Sequence, residues 1–301
     1  MNWDDLWAFL EVSRHSRLEL AAARLKIDAT TLSRRLKRLE RDTGLTLFER
    51  TRRGHLLSQD GEIFAQRAEA MEAAALKLME NSNTDAGQVS GAVRVGVTEG
   101  LGASIIAPAI NAFVEAYPQV NVDLIALSGF VSVPRRQADM SILLTRPKTG
   151  RLKVRKLSDY TLGLYASEAY LQAHRAIETP QDLIDHRLIG YVDDLIYAPQ
   201  LRYYDEVLSG LSPTLCSPSI LAQLAMTASG AGVAILPDFM ARRQTGLRAL
   251  LTDAIQVQRT FWLAVHEDVY DFARVRSMID FLVDTMRANE QRLSPNSKSS
   301  S

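Results

Sequence analysis

Residues 18–41 read LELAAARLKIDATTLSRRLKRLER, and the middle of that run decides the fold. Leu18, Ala21, Ala22 and Leu25 share one face of a helix spanning residues 18–27. Asp28 then offers a carboxylate to the free N–H groups of a turn beginning at Ala29, an N-cap signature. Beyond it Leu32, Leu36 and Leu39 recur at i, i+4 and i+7, while Thr30, Ser33, Arg34, Lys37 and Arg41 fall on other faces. Two helices joined by about three residues, the second amphipathic with hydroxyls and arginines outward, predict a helix-turn-helix.

Upstream, Trp3, Leu6, Trp7, Phe9 and Leu10 predict a first helix over residues 3–13. Downstream, Gly44 closes the recognition helix. Leu45, Leu47 and Leu56-Leu57 bracket the basic stretch Arg50-Thr51-Arg52-Arg53-Gly54, which reads as a hairpin wing. Ser58 can cap a long helix running from Gln59 to Asn81. Along it Phe64, Ala68, Met71, Ala75 and Leu78 are spaced 4, 3, 4, 3, the rhythm of a coiled-coil seam. The seam is read as a dimer contact, against the alternative of a helix lying on its own core.

The polar, glycine-containing stretch Asn81–Gly91 marks a domain boundary. From Ala92 the texture is α/β. Strands are expected at residues 93–97, 120–127 and 140–144, with a helix from Gly102 to Tyr117; a second unit follows with strands at 160–165, 188–192 and 233–236 and helices at 167–174 and 218–229. Residues 255–265 and a helix over 271–290 return to the first unit. Two small lobes joined by crossing strands leave a cleft at the carboxyl ends of the strands.

Composition agrees with a folded chain: 47% of residues are hydrophobic and 23% charged. No run approaches the roughly 18 apolar residues of a membrane span, and the single Cys216 excludes an internal disulfide. A cytoplasmic protein without membrane contact is expected. The net charge of +0 hides an asymmetry, because residues 24–53 carry ten Lys/Arg against four Asp/Glu. Such a segment fits a polyanion.

The residues Ala21-Ala22-x-x-Leu25, Leu32-Ser33-Arg34-x-Leu36-x-x-Leu39-Glu40, Gly44-x-x-Leu47-Phe48-Glu49-Arg50 and Gly61 closely resemble the DNA-binding signature of LysR-type transcriptional regulators. The body resembles that family's effector domain through Ala107-Pro108, Phe113, Tyr117-Pro118 and Gly230-x-Gly232-Val233-Ala234-Ile235-Leu236-Pro237. The resemblance implies a winged helix-turn-helix (residues 1–58), a dimerising linker helix and hinge (59–90), and a two-lobed α/β effector domain like a periplasmic binding protein (91–292). A tail of residues 293–301 is expected to be disordered. It implies a ligand-responsive transcription regulator without a cofactor, acting on double-stranded DNA at an inverted repeat as a homodimer, and generally as a homotetramer. The sequence departs from the family at Arg17, where Ser or Thr is common, and at Ala29, where Gln is common.

On the recognition helix Ala29, Thr30, Thr31, Ser33, Arg34 and Lys37 are the candidate DNA contacts, with Arg52 and Arg53 at the wing tip for the minor groove or phosphate. Arg35, Arg38 and Arg41 are open between DNA and internal pairing with Glu40 or Asp42. In the body, Thr98 and the N–H groups from Gly100 onward stand where a helix N-terminus can receive a carboxylate. Ser128 and Thr145 end neighbouring strands, and Ser217, read as the cap of a helix starting at Pro218, faces them from the other lobe. Glu99 in that mouth would repel an anion unless it turns outward or pairs with Arg146, so a cationic or neutral effector stays open. No metal is expected, since His15, His55, His174, His186 and His266 lack ligand spacing. An enzyme or solute binder whose N-terminal helices serve assembly is the rival reading, though no nucleophile motif supports it.

Overall fold

The computed structural model describes residues 2–15, 17–51, 54–82, 89–127 and 138–295. The chain divides into two compact units, Met1–Gly87 and Gln88–Ser301.

In the first unit α1 (Trp3–His15), α2 (Leu18–Leu25) and α3 (Ala29–Thr43) enclose a core of Leu6, Phe9, Leu10, Val12, Leu32, Leu36 and Leu39, each at most 6% exposed. Burying each such side chain is worth about 1.5–3 kcal/mol, which fixes the leucine stripe of α3 inward. Asp28 caps α3 by accepting the Thr31 N–H at 2.7 Å, and Gly44 ends it in the left-handed region at φ 71°. Strands β1 (Phe48–Thr51) and β2 (Gly54–Leu57) pair antiparallel as the expected wing. Helix α4 (Gln59–Ser82) follows, its Gly61 N–H bonded to the Ser58 hydroxyl at 2.9 Å.

The second unit is built on one mixed sheet. Parallel strands β3 (Ser90–Thr98), β4 (Gln119–Leu127) and β5 (Met140–Leu143) form one lobe. Between β3 and β4 runs a continuous helix: α5 (Glu99–Leu101), a π-helical turn (Gly102–Ile106) and α6 (Ala107–Ala116). The long strand β6 (Leu152–Ser167) crosses to the second lobe and leads into α7 (Glu168–Ala173). That lobe holds β7 (Leu188–Gly190), α8 (Tyr204–Val207), β8 (Leu215–Cys216), α9 (Ile220–Ala228), β9 (Val233–Pro237), α10 (Asp238–Ala241) and β10 (Leu247–Leu250). Strand β11 (Val257–His266) returns antiparallel to both β6 and β5, so the sheet is parallel within each lobe and antiparallel at the crossing. Helix α11 (Ala273–Ala288) closes on the first lobe, where Phe281 meets Phe113 at 5.4 Å.

The expected tail begins too early. Leu293, at the end of α12 (Glu290–Leu293), is fully buried, and its carbonyl accepts from the Thr161 hydroxyl. An apolar side chain anchors the chain there; residues 296–301 lie outside the described residues.

Candidate DNA-binding surface and effector cleft

On α3 the leucine stripe faces inward, leaving Thr30, Arg34, Lys37 and Arg41 exposed with Ser33 half-buried beside them. Asp28 organises the first turn. Its carboxylate accepts the Thr31 hydroxyl at 2.7 Å and the Thr30 hydroxyl as well as the Thr31 N–H. These bonds, Thr30's first, hold the carboxyl well below the usual carboxylate range. Ala29, at the start of the helix, is half-buried, with part of its surface packed against the domain core. Arg52 and Arg53 lie outside the described residues.

Two of the three arginines left open, Arg35 and Arg38, pair with α1, while Arg41 stays exposed. Arg38 grips the fully buried Asp5, with Nε donating at 2.5 Å to Oδ2 and Nη2 to Oδ1, and Arg35 lies 3.6 Å from Asp4. Glu40 pairs with neither. It accepts the N–H groups of Leu47 at 2.8 Å and Phe48 at 3.3 Å, fixing where the wing begins.

The linker seam is corrected in its first half. Phe64 stands edge-on to Phe9 at 5.1 Å and Ala68 is 2% exposed, so both face their own domain. Ala75 is half-buried, and the Leu78 side chain lies outside the described residues. Among the described residues, Met71, 45% exposed, and Ile63, 48% exposed, are the large apolar side chains that α4 presents outward, and Ile63 stands outside the heptad rhythm.

In the second unit the ends of β3 and β9, the loop after β7 and the two crossing strands enclose a cavity of about 30 Å³, room for little more than one water. Thr98, Glu99 and Gly100 line it, as expected. Six aromatic residues, Tyr160, Tyr191, Tyr197, Tyr203, Phe239 and Phe261, make up half of the remaining described wall, and leucine, isoleucine and proline side chains make up the other half. Tyr160 stacks on Phe261 at 4.1 Å, and Tyr191 meets Tyr203 at 6.1 Å. Burial, and secondly the charge of Glu99, push the Tyr197 phenol up to about 12, so it stays protonated. Sharing Thr98, Leu144 and Tyr197 with this cavity is a wider, largely apolar one of about 280 Å³ that reaches Ser141, Thr145 and Pro199.

The Glu99 carboxylate is placed by neither expected route. It reaches across the cleft to the N-terminus of α9, accepting the Ser219 hydroxyl at 3.0 Å and the Ile220 N–H at 3.0 Å. Arg146 instead lies over Trp262 at 5.4 Å. Ser219, not Ser217, caps this helix, accepting the Ala222 N–H at 3.2 Å. Ser217 supports the turn by accepting the Ser219 N–H, and it lines neither cavity. Thr145 lines only the wider cavity and donates to Gln200 at 2.8 Å; Ser128 lies outside the described residues. The tyrosines are the cleft-lining residues that the sequence reading does not pick out. A signal was present, since four of the nine tyrosines fall between residues 191 and 204.

A winged helix with an outward basic face, on a chain whose second unit closes a cleft between two α/β lobes, defines a ligand-responsive DNA-binding regulator. Family models agree: the bacterial regulatory helix-turn-helix protein of the lysR family matches residues 3–62, and the LysR substrate binding domain matches residues 86–287. The chain belongs to the LysR family of transcription regulators, which are DNA-binding proteins with an effector domain and not enzymes. It is 24% identical to the Mau operon transcriptional activator of Paracoccus denitrificans, over 94% of this chain and 96% of that protein. It is 25% identical to the HTH-type transcriptional regulator CrgA of Neisseria meningitidis, over 96% of this chain and 98% of that one. Full-length OxyR from Pseudomonas aeruginosa shares the fold with a TM-score of 0.72 at 21% identity, covering 95% of this chain and 98% of its own. Among the described residues no helix is long and apolar enough to cross a membrane, and no group of His, Cys, Asp and Glu is arranged for a metal.

Proposed function

We propose that this regulator binds an inverted-repeat operator in the cytoplasm as a homodimer, or as a tetramer built from such dimers, and that a small molecule held between the lobes modulates it. The observation that carries the DNA reading is the exposed face of α3. Thr30 and Ser33 meet base edges in the major groove, while Arg34 and Lys37 reach bases or phosphates. Asp28 adds a constraint, because the Thr30 hydroxyl donates its proton to that carboxylate. A hydroxyl so committed can only accept, which favours an amino group such as adenine N6 or cytosine N4. Arg52 and Arg53 hold the backbone or minor groove from the wing. The outward flank of α4 at Ile63 and Met71 supports the dimer contact in place of Phe64 and Ala68.

Specificity and affinity separate by charge. Lys37→Ala is expected to weaken operator and scrambled duplexes alike and to flatten the log K against log salt slope by about 0.9. Ser33→Ala is expected to lower discrimination by about 1–3 kcal/mol with the slope unchanged. Fluorescence anisotropy on both duplexes at several salt concentrations reads both quantities. Loss of discrimination with Lys37→Ala but none with Ser33→Ala would overturn the assignment.

A further inference from the structure

The effector cleft carries a charge pattern that selects its ligand, and the argument rests on the reading of that cleft as the effector site. Among the described residues of its wall Glu99 bears the only formal charge, and no described Lys or Arg lines either of the two joined cavities. The Arg259 guanidinium, 5.6 Å from the Tyr203 ring centre, is already held by both carboxylate oxygens of Glu206 and by the Gln200 carbonyl at 3.0 Å. The N-terminus of α9, one of the two helix starts that face the cleft, is filled by the chain itself, since Ser219 and Ile220 both donate to Glu99. Among the described residues, an effector carboxylate entering here meets a resident carboxylate and no cation. Around that carboxylate stand six aromatic rings. Tyr160 and Tyr203 are 3% and 4% exposed, and neither the Tyr160 nor the Tyr197 hydroxyl has a hydrogen-bond partner among the described residues. Ring faces, phenol oxygens and a carboxylate together are the elements that recognise a desolvated ammonium.

We infer that the effector is an organic cation, a substituted ammonium on an apolar body. Its charged head lies among Tyr160, Tyr191, Tyr197 and Tyr203 beside Glu99, and its body fills the wider apolar cavity past Tyr197. The tyrosine compartment holds about 30 Å³ in the closed form, so the Glu99 contacts between the lobes yield as the head enters. Two of the carboxylate's roughly four lone-pair positions remain for the ligand.

Calorimetry on the full chain with four probes tests this: choline, its uncharged carbon isostere 3,3-dimethylbutan-1-ol, benzyltrimethylammonium and benzoate. The cations are expected to bind, with choline at least tenfold tighter than its isostere. Glu99→Gln, which keeps the shape, is expected to weaken the cations at least tenfold and to leave the isostere unchanged. Tyr197→Ala, at a half-buried position, is expected to weaken the cations as well. Equal binding of choline and its isostere, or no binding of either cation at any attainable concentration, overturns the inference. So does tighter binding of benzoate; if Tyr197→Ala then weakens benzoate, the cleft remains the effector site and only the cation assignment fails. Cation binding that neither variant changes places the ligand elsewhere and removes the cleft reading along with this one.

Discussion

Gly61→Ala probes the junction between wing and linker helix. A Cβ at this buried position would stand 2.0 Å from the backbone oxygen of Leu47 and 3.0 Å from its carbon. Ordinary contact requires more than 3 Å, so the backbone must move by over an ångström. No rotamer change relieves a clash with a main-chain carbonyl. That same carbonyl accepts the Ser58 N–H at 3.1 Å, and the wing begins at the next residue, Phe48. Overpacking costs about 1–3 kcal/mol where side chains can yield, and more is expected against backbone. About 3 kcal/mol in a domain of this size lowers Tm by roughly 12 °C or more. Gly44→Ala is the control: its Cβ meets nothing within 4 Å, and only its φ of +71° is unfavourable, a cost of about 1 kcal/mol. Trp3 and Trp7 report the first unit once Trp262 is replaced by Phe, which separates its transition from that of the second unit. Equal melting of the Gly61→Ala and Gly44→Ala proteins would refute the close approach of α4 to Leu47.

Two further outcomes follow from the second unit. Gly100→Ala places a Cβ 2.6 Å from the Met240 sulfur and 3.2 Å from Ile220, and is expected to destabilise that unit by about 1–3 kcal/mol in scanning calorimetry; an unchanged transition would show that the lobes do not meet there. His186 is 8% exposed, and burial, followed by the charge of His174, lowers its pKa. The unfolded chain therefore takes up a proton near pH 6.5 that the folded chain resists, so stability is expected to fall as pH drops through and below that value. His186→Gln should flatten this dependence between pH 8 and 5, and an identical pH profile for the variant would remove His186 as its source.

The parts legible in the sequence are those whose determinants are local. Helix α3 could be read because Asp28, three leucines and Gly44 supply its start, its buried face and its end within 17 residues. The same logic misjudged α4, since a 4, 3, 4, 3 apolar rhythm serves equally for a partner helix and for the domain's own α1. Phe64 and Ala68 took the second option. Ser217 was read as a cap because proline is favoured at the first helical position. The helix nevertheless starts only after Ser219, whose own backbone is extended and whose hydroxyl meets Glu99. Glu99 itself could not be placed, for its partners lie 120 and 121 residues away. The tyrosine wall was missed for a related reason: it comes largely from an irregular loop with no period to read.

The electrostatics of α3 are likewise decided by partners its own sequence does not show. The helix carries five basic residues, Arg34, Arg35, Lys37, Arg38 and Arg41. Counted from sequence alone, all five are candidates for phosphate. Asp4 and Asp5 from α1 remove Arg35 and Arg38 from that set, leaving three exposed cations on the face opposite the leucines. At about 0.9 per neutralised phosphate, α3 then contributes at most roughly 2.7 to the salt slope of one subunit. The acidic residues at the start of α1 therefore do two things at once. They hold α3 against α1 through Arg38, and in the proposed DNA reading they are expected to limit how strongly the protein clings to DNA of any sequence. In the proposed reading of α3, with the general attraction held down, the short neutral side chains of Thr30 and Ser33 are expected to have a proportionately larger effect on which sequence is bound.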